Sequence, residues 1–115
     1  MIRIATEVKG SITILKVSGK LTIGNREFTL DDAVHDLLRK GSRQILVDLT
    51  ETSYVESAGM GQLVAAFKKI RDVGATARLL VKESSRVHGK ISETVTESYF
   101  DLVLSEADAI ASFSD

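Results

Sequence analysis

The chain opens on an alternation. Ile2, Ile4 and Val8 are separated by polar residues, the period of a half-buried strand. Lys9-Gly10 reads as a short turn, where Gly10 can take positive φ. Ser11 to Ser18 carries Ile12, Ile14, Leu15 and Val17 and predicts a second strand, antiparallel to the first. Gly19 to Asn25 is then a loop. The period next changes: Leu30, Ala33, Val34, Leu37 and Leu38 share one face of a helix. Thr29 with Asp32 three residues on has the form of a capping box, with Asp for the usual Glu. Arg39 and Lys40 suit the negative helix end, and Gly41 stops it.

Gln44 to Leu49 is almost continuously apolar, as in a strand covered on both faces. A loop from Thr50 to Glu56 leads to a second helix over Ala58 to Val73. Its stripe is Met60, Leu63, Val64, Phe67 and Ile70, and Gly74 closes it. Ala77 to Val81 is a further apolar strand. Between 84 and 99, Val87, Ile91 and Val95 lie four apart, which allows a helix, whereas Gly89 and the Thr/Ser content weaken one. Leu102 to Leu104 is a brief strand. Ser105 with Asp108 caps a last helix carrying Ala107, Ile110 and Ala111. Strands alternating with helices require right-handed parallel crossovers. The expected class is therefore α/β: one mixed sheet, with an antiparallel N-terminal hairpin and largely parallel remaining strands, packed against helices.

At 115 residues, a single domain over 1–115 is expected. The 43% apolar and 27% charged content fits a folded globular chain. A net charge of −1, with both signs interspersed, gives no broad attraction to nucleic acid or anionic membrane. The absence of cysteine excludes disulfides and thiol chemistry. No apolar run suits a signal peptide, and none approaches the roughly 20 residues of a membrane span, so a cytoplasmic location is expected.

Candidate chemistry concentrates where the central strand meets the second helix, at Glu56-Ser57-Ala58-Gly59-Met60-Gly61. A serine at a helix N-terminus is either a cap or a place where a phosphate can sit. Gly59 and Gly61 either let a partner backbone approach or relieve crowding. Met60 reads as core, yet near the helix start it is also a candidate contact. The GxxxxGK[ST] phosphate loop is missing. Asp48, Glu51 and Glu56 are too loosely placed for paired-carboxylate catalysis, and Asp48 reads as a loop-organising acceptor. His35 and His88 make no metal-ligand spacing, and neither adjoins a serine. No catalytic residue, metal or cofactor is expected. Lys68, Lys69 and Arg71 read as a solvated helix end.

The strand ending Val47-Asp48-Leu49, the run from Tyr54-Val55-Glu56-Ser57 to Gly61-Gln62-Leu63, and the helix ending Asp72-Val73-Gly74 together resemble a STAS domain. Bacterial anti-sigma factor antagonists are single STAS domains. The family pattern here is Asp-Ser-Ser/Ala-Gly-Leu/Met-Gly. Its upstream Gly-Glu-Leu-Asp corresponds to Gly19-Lys20-Leu21-Thr22, and a late Ser-x-x-x-Ala element is echoed at Ser105 to Ala109. The resemblance spans essentially the whole chain.

It implies that Ser57 is the phosphorylated residue of a partner-switching signal transduction protein. The bare form binds a serine kinase that also serves as anti-sigma factor, which frees the sigma factor for transcription. The kinase then phosphorylates the serine from ATP, the complex separates, and a phosphatase resets it. The chain would thus be a kinase substrate and not an enzyme. The implied partner surface is Thr22, Ile23, Gly24 and Asn25 with Ser53, Glu56, Ser57, Ala58, Gly59, Met60 and Gly61. Glu56 stands where the family has Asp, Ala58 where a second serine is common, and Thr22 where relatives carry an acid. The other implied role is an accessory or scaffold subunit of a membrane transporter or stress-signalling complex, without a phosphoserine cycle; Ala58 and Thr22 leave room for it.

Overall fold

A computed structural model describes residues 2–21, 29–94 and 97–113. In chain order its elements are β1 (Ile2–Lys9), β2 (Ile12–Leu21), α1 (Leu30–Arg39), β3 (Gln44–Val55), α2 (Ser57–Asp72), β4 (Thr76–Leu80), α3 (Arg86–Thr94), α4 (Glu97–Phe100), β5 (Leu102–Val103) and α5 (Glu106–Ser112). The five strands lie side by side in sequence order. β1 and β2 are antiparallel, from Ile2 opposite Gly19 to Lys9 opposite Ile12. β2, β3, β4 and β5 are mutually parallel. The mixed sheet expected from the alternation of elements is the one observed.

The two faces of the sheet are covered unequally. Leu15, Val17, Ile45, Val47 and Leu79 pack on one side against Leu30 and Val34 of α1, Leu63, Phe67 and Ile70 of α2, Val87 and Ile91 of α3, and Phe100 of α4. Phe67 and Phe100 meet edge to face at 5.0 Å. On the other side Ile12, Ile14, Leu46 and Leu80 pack against Ala109 and Phe113 at α5. Beyond α5 that second face stays open, with Arg3, Lys16, Ser18 and Glu51 along a shallow cleft. The inward face of α5 is thus Ala109 with half-buried Ile110, while Ala107 and Ala111 are exposed.

The capping box on α1 forms as its sequence predicts: Thr29 Oγ1 accepts from Asp32 N at 3.2 Å, and Asp32 Oδ2 accepts from Thr29 N at 3.0 Å. Two strands run longer than their periodicity shows. β2 continues past Ser18 to Leu21, and β3 past Leu49 to Val55. The segment read as a loop from Thr50 is mostly strand. The reason lies in two irregularities, between Lys16/Ser18 and Gly19/Lys20, at each of which β3 carries one residue more than β2. A bulge shifts the side-chain phase, so alternation fails although pairing persists. Asp48 holds the first one: its Oδ1 accepts from Thr50 N at 2.8 Å and Thr50 Oγ1 at 2.7 Å. It is the organising acceptor expected, but within a strand. Thr52 turns its hydroxyl inward to donate to Val17 O at 2.7 Å.

The uncertain stretch after residue 84 is helical as α3 and α4, with Val87 and Ile91 buried. Val95 lies outside the described residues. The cationic end of α2 is more tied down than a solvated end. Lys69 pairs with Asp31 of α1 at 2.8 Å, and Arg71 with Asp101 at 3.1 Å. The Arg71 guanidinium also lies 4.9 Å from the Tyr99 ring centre. Lys68 remains exposed, paired within its own helix with Asp72 at 2.9 Å.

Candidate functional site

The candidate site is the junction where β3 ends and α2 begins, next to the end of β2. Glu56 is the N-cap, with extended backbone (φ −88°, ψ 172°) and no side-chain capping bond. α2 therefore begins one residue earlier than its apolar stripe suggests. Ser57 is its first helical residue and not its cap. Ser57 is exposed, and its hydroxyl makes no hydrogen bond to another described residue. Of the two readings of a serine at a helix start, the plain cap is the one the geometry removes.

The first i to i−4 bond of α2 runs from Met60 N to Glu56 O at 2.9 Å. The N–H groups of Ser57, Ala58 and Gly59 come before it, in the turn that has no intrahelical acceptors. No acidic side chain lies within that first turn. An added anion at Ser57 would meet the positive end of the helix dipole, with Glu56 alongside as an opposing charge.

Gly59 answers the crowding alternative. A Cβ built there would lie 2.2 Å from the carbonyl oxygen of Leu21 and 3.1 Å from its Cγ. The helix start presses onto the end of β2, and Leu21 O also accepts from Glu56 N at 3.2 Å. Gly61 differs: it is exposed, and a Cβ there meets nothing within 4 Å. Ala58 is half-buried, whereas Gly59 and Met60 are buried, Met60 at 5% in the core beside Leu63. Met60 and Gly59, both buried in the unbound chain, shape the junction from within. Ser53 is exposed and donates from Oγ to Gly19 O at 3.2 Å, while Thr52 next to it is buried. Thr22, Ile23, Gly24 and Asn25, expected in the partner surface, lie outside the described residues.

α3 also borders the junction, which its weak sequence pattern concealed. Tyr54 and Val55 of β3 with Arg86, Gly89 and Lys90 of α3 enclose a cleft of about 280 Å³. Tyr54 is 38% exposed, a large side chain left open just before the helix start. The available signal was the spacing of Arg86 and Lys90, four apart on one helix face. Among the described residues no three His, Cys, Asp or Glu side chains gather as metal ligands. No described helix is long and apolar enough to cross a membrane.

Solved structures share this fold. An anti-sigma factor antagonist from Mycobacterium paratuberculosis matches over 100% of this chain and 96% of its own, at a TM-score of 0.86 and 18% identity. The Bacillus cell fate determinant SpoIIAA in its phosphorylated form matches over 96% and 99%, at 0.70 and 17%. The anti-sigma factor antagonist SpoIIAA in its unphosphorylated form matches over 96% and 97%, at 0.66 and 16%. At these identities the likeness establishes a common fold. No curated protein matches the chain in sequence. The STAS domain family model matches residues 3–109, nearly the whole length, and the chain accordingly belongs to the STAS domain family.

Proposed function

We propose that this chain is an anti-sigma factor antagonist of the bacterial cytoplasm that binds a serine-kinase anti-sigma factor and is switched off by phosphorylation of Ser57. The observation that carries the reading is the exposed Ser57 hydroxyl on the first turn of α2, uncommitted to any described residue. Structural neighbours that are anti-sigma factor antagonists support it. The step is a phosphoryl transfer. Ser57 Oγ attacks the γ-phosphorus of ATP, an O–P bond forms, the bond to the ADP oxygen breaks, and the hydroxyl proton passes to the kinase. The chain supplies the acceptor oxygen and no catalysis. A phosphatase reverses the modification by hydrolysis.

The physical consequence is local. Phosphate brings about −1.5 to −2 charges at neutral pH. On its own side, the helix start offsets this by roughly 0.3–1 kcal/mol for an exposed group. A partner surface shaped for a neutral hydroxyl gains an unpaired, desolvated dianion instead, at a cost of several kcal/mol. Binding is lost without refolding of the domain. The contact surface in this reading is Ser53, Glu56, Ser57, Ala58 and Gly61 with the segment Thr22 to Asn25, underlain by Gly59 and Met60.

The test is intact mass after incubation with the serine-kinase anti-sigma factor of the same genome and ATP. One phosphate is expected, absent in Ser57→Ala. Phosphate retained in Ser57→Ala, or placed on neighbouring exposed Ser53, overturns the assignment.

A further inference from the structure

A second site lies away from the α2 start, on the part of the sheet that α5 leaves open. There a cleft of about 140 Å³ is lined by Arg3 and Ala5 of β1, Lys16 and Ser18 of β2, and Asp48 and Glu51 of β3. Asp48 is the one charged side chain among the buried described residues, at 6% exposure. A carboxylate is costly to bury unless its oxygens are satisfied. Oδ1 accepts both bonds from Thr50, at 2.8 and 2.7 Å. Oδ2 has no hydrogen-bond partner among the described residues. It is not sealed within the protein either, since no fully buried side-chain oxygen lacks a partner. It therefore opens into the cleft. Lys16 is held by Glu7 at 3.2 Å, and the Arg3 side chain forms no ion pair among the described residues.

We propose that this cleft binds a small zwitterion of the amino-acid class, its ammonium on Asp48 Oδ2 and its carboxylate facing Arg3. The lining carries two cations, Arg3 and Lys16, and two anions, Asp48 and Glu51. A ligand of one sign is attracted by one pair and repelled by the other, whereas a zwitterion answers both. The two cations also oppose a divalent metal, which would find one buried carboxylate and, among the described residues, no cluster of three His, Cys, Asp or Glu side chains. The volume equals roughly five waters at about 30 Å³ each, the scale of an amino acid with a short side chain. Ala5 gives the cleft a small apolar element suited to a few carbons. Nothing in this site involves Ser57, so it stands or falls apart from partner switching.

The experiment is an amide NMR titration of the full chain with glycine, L-alanine, L-serine and β-alanine, alongside ethylammonium and acetate as half-ligands. Saturable shifts confined to β1, β2 and β3 are expected for at least one amino acid at millimolar concentration. Asp48→Asn should weaken that binding tenfold or more; its Oδ1 can still accept from Thr50, so the bulge is kept. Arg3→Gln, at an exposed edge position, should weaken the amino acid threefold or more and leave ethylammonium unchanged. Failure of every amino acid to saturate at tens of millimolar overturns the proposal. So does undiminished binding by Asp48→Asn or Arg3→Gln, or ethylammonium binding as tightly as the amino acids.

Discussion

The Cα of Gly59 rests against the carbonyl of Leu21, so closely that a Cβ would stand 2.2 Å from that oxygen. Leu21 is fully buried and its oxygen already accepts from Glu56 N, so neither partner can yield without moving the end of β2 or the start of α2. Gly59→Ala is expected to destabilise the domain by about 1–3 kcal/mol, the usual cost of overpacking. Gly61→Ala, in open space, should leave stability unchanged or slightly raised, because Ala favours the helix. Urea denaturation of the two variants side by side checks the contrast; equal losses would refute it.

Ser57→Asp places a carboxylate where the phosphate is expected. Affinity for the anti-sigma factor should fall tenfold or more, about 1.4 kcal/mol. Ser57→Ala should bind as the parent does and resist ATP-driven release. Isothermal titration calorimetry with and without ATP distinguishes these outcomes, and unchanged affinity for Ser57→Asp would count against the switch.

Met60→Asp should act on the fold before it acts on any partner. The side chain is 5% exposed in the main core, and an unpaired charge there costs about 3–5 kcal/mol. Circular dichroism is expected to show a lowered melting transition or loss of helix. A native spectrum with lost partner binding would instead assign Met60 a direct contact.

Phe100 closes the core beneath α2, stacked edge to face with both Phe67 and Tyr99. Phe100→Ala is expected to cost about 3–5 kcal/mol, against a total stability of about 5–15 kcal/mol for a typical domain. Arg71→Ala removes its contacts with the Phe67 and Tyr99 rings and its pairing with Asp101, and should cost about 1 kcal/mol at this partly exposed site. Thermal denaturation ranks the two.

The capping box of α1 gives a pH dependence of known sign. Hydrogen bonds from the Thr29 backbone and then its side chain hold the Asp32 carboxyl below its ordinary value of 3.8. A carboxyl depressed in the folded state contributes stability that is complete above the unfolded value and is lost as pH falls through the folded one. The stability difference between the parent and Asp32→Asn should therefore be constant near neutrality and shrink below about pH 4. Urea midpoints across that range measure it; a gap that widens in acid would contradict the capping role.

Much of this was legible in the chain. The period of Leu30, Ala33, Val34 and Leu37 located α1, and Thr29 with Asp32 fixed its first turn, because local hydrogen bonding depends on neighbours alone. The order of strands and helices gave the mixed sheet. The end of β3 was hidden for a physical reason: its two bulges break the alternation by which a strand is recognised, while the bonds that keep it paired come from β2, more than thirty residues away. The same displacement concealed that Glu56 caps α2 and that Ser57 is its first residue. Gly59 and Gly61 are identical letters two apart, and the carbonyl of Leu21 alone separates their roles. α3 was obscured by Gly89 and its polar composition; burial of Val87 and Ile91 against the sheet stabilises it where propensity does not.

The sheet ends in two unlike margins. β5 contributes two residues, too few to template anything, but β1 offers eight along a flank that pairs with no other described strand. Arg3, Glu7 and Lys9 are spaced along that flank, and charge on an outer strand discourages a second copy from aligning there. Neutralising all three would strip that outer strand of its charge while Ile2 and Ile4 stay packed against the core, leaving the β1 backbone ladder free to align with a second copy.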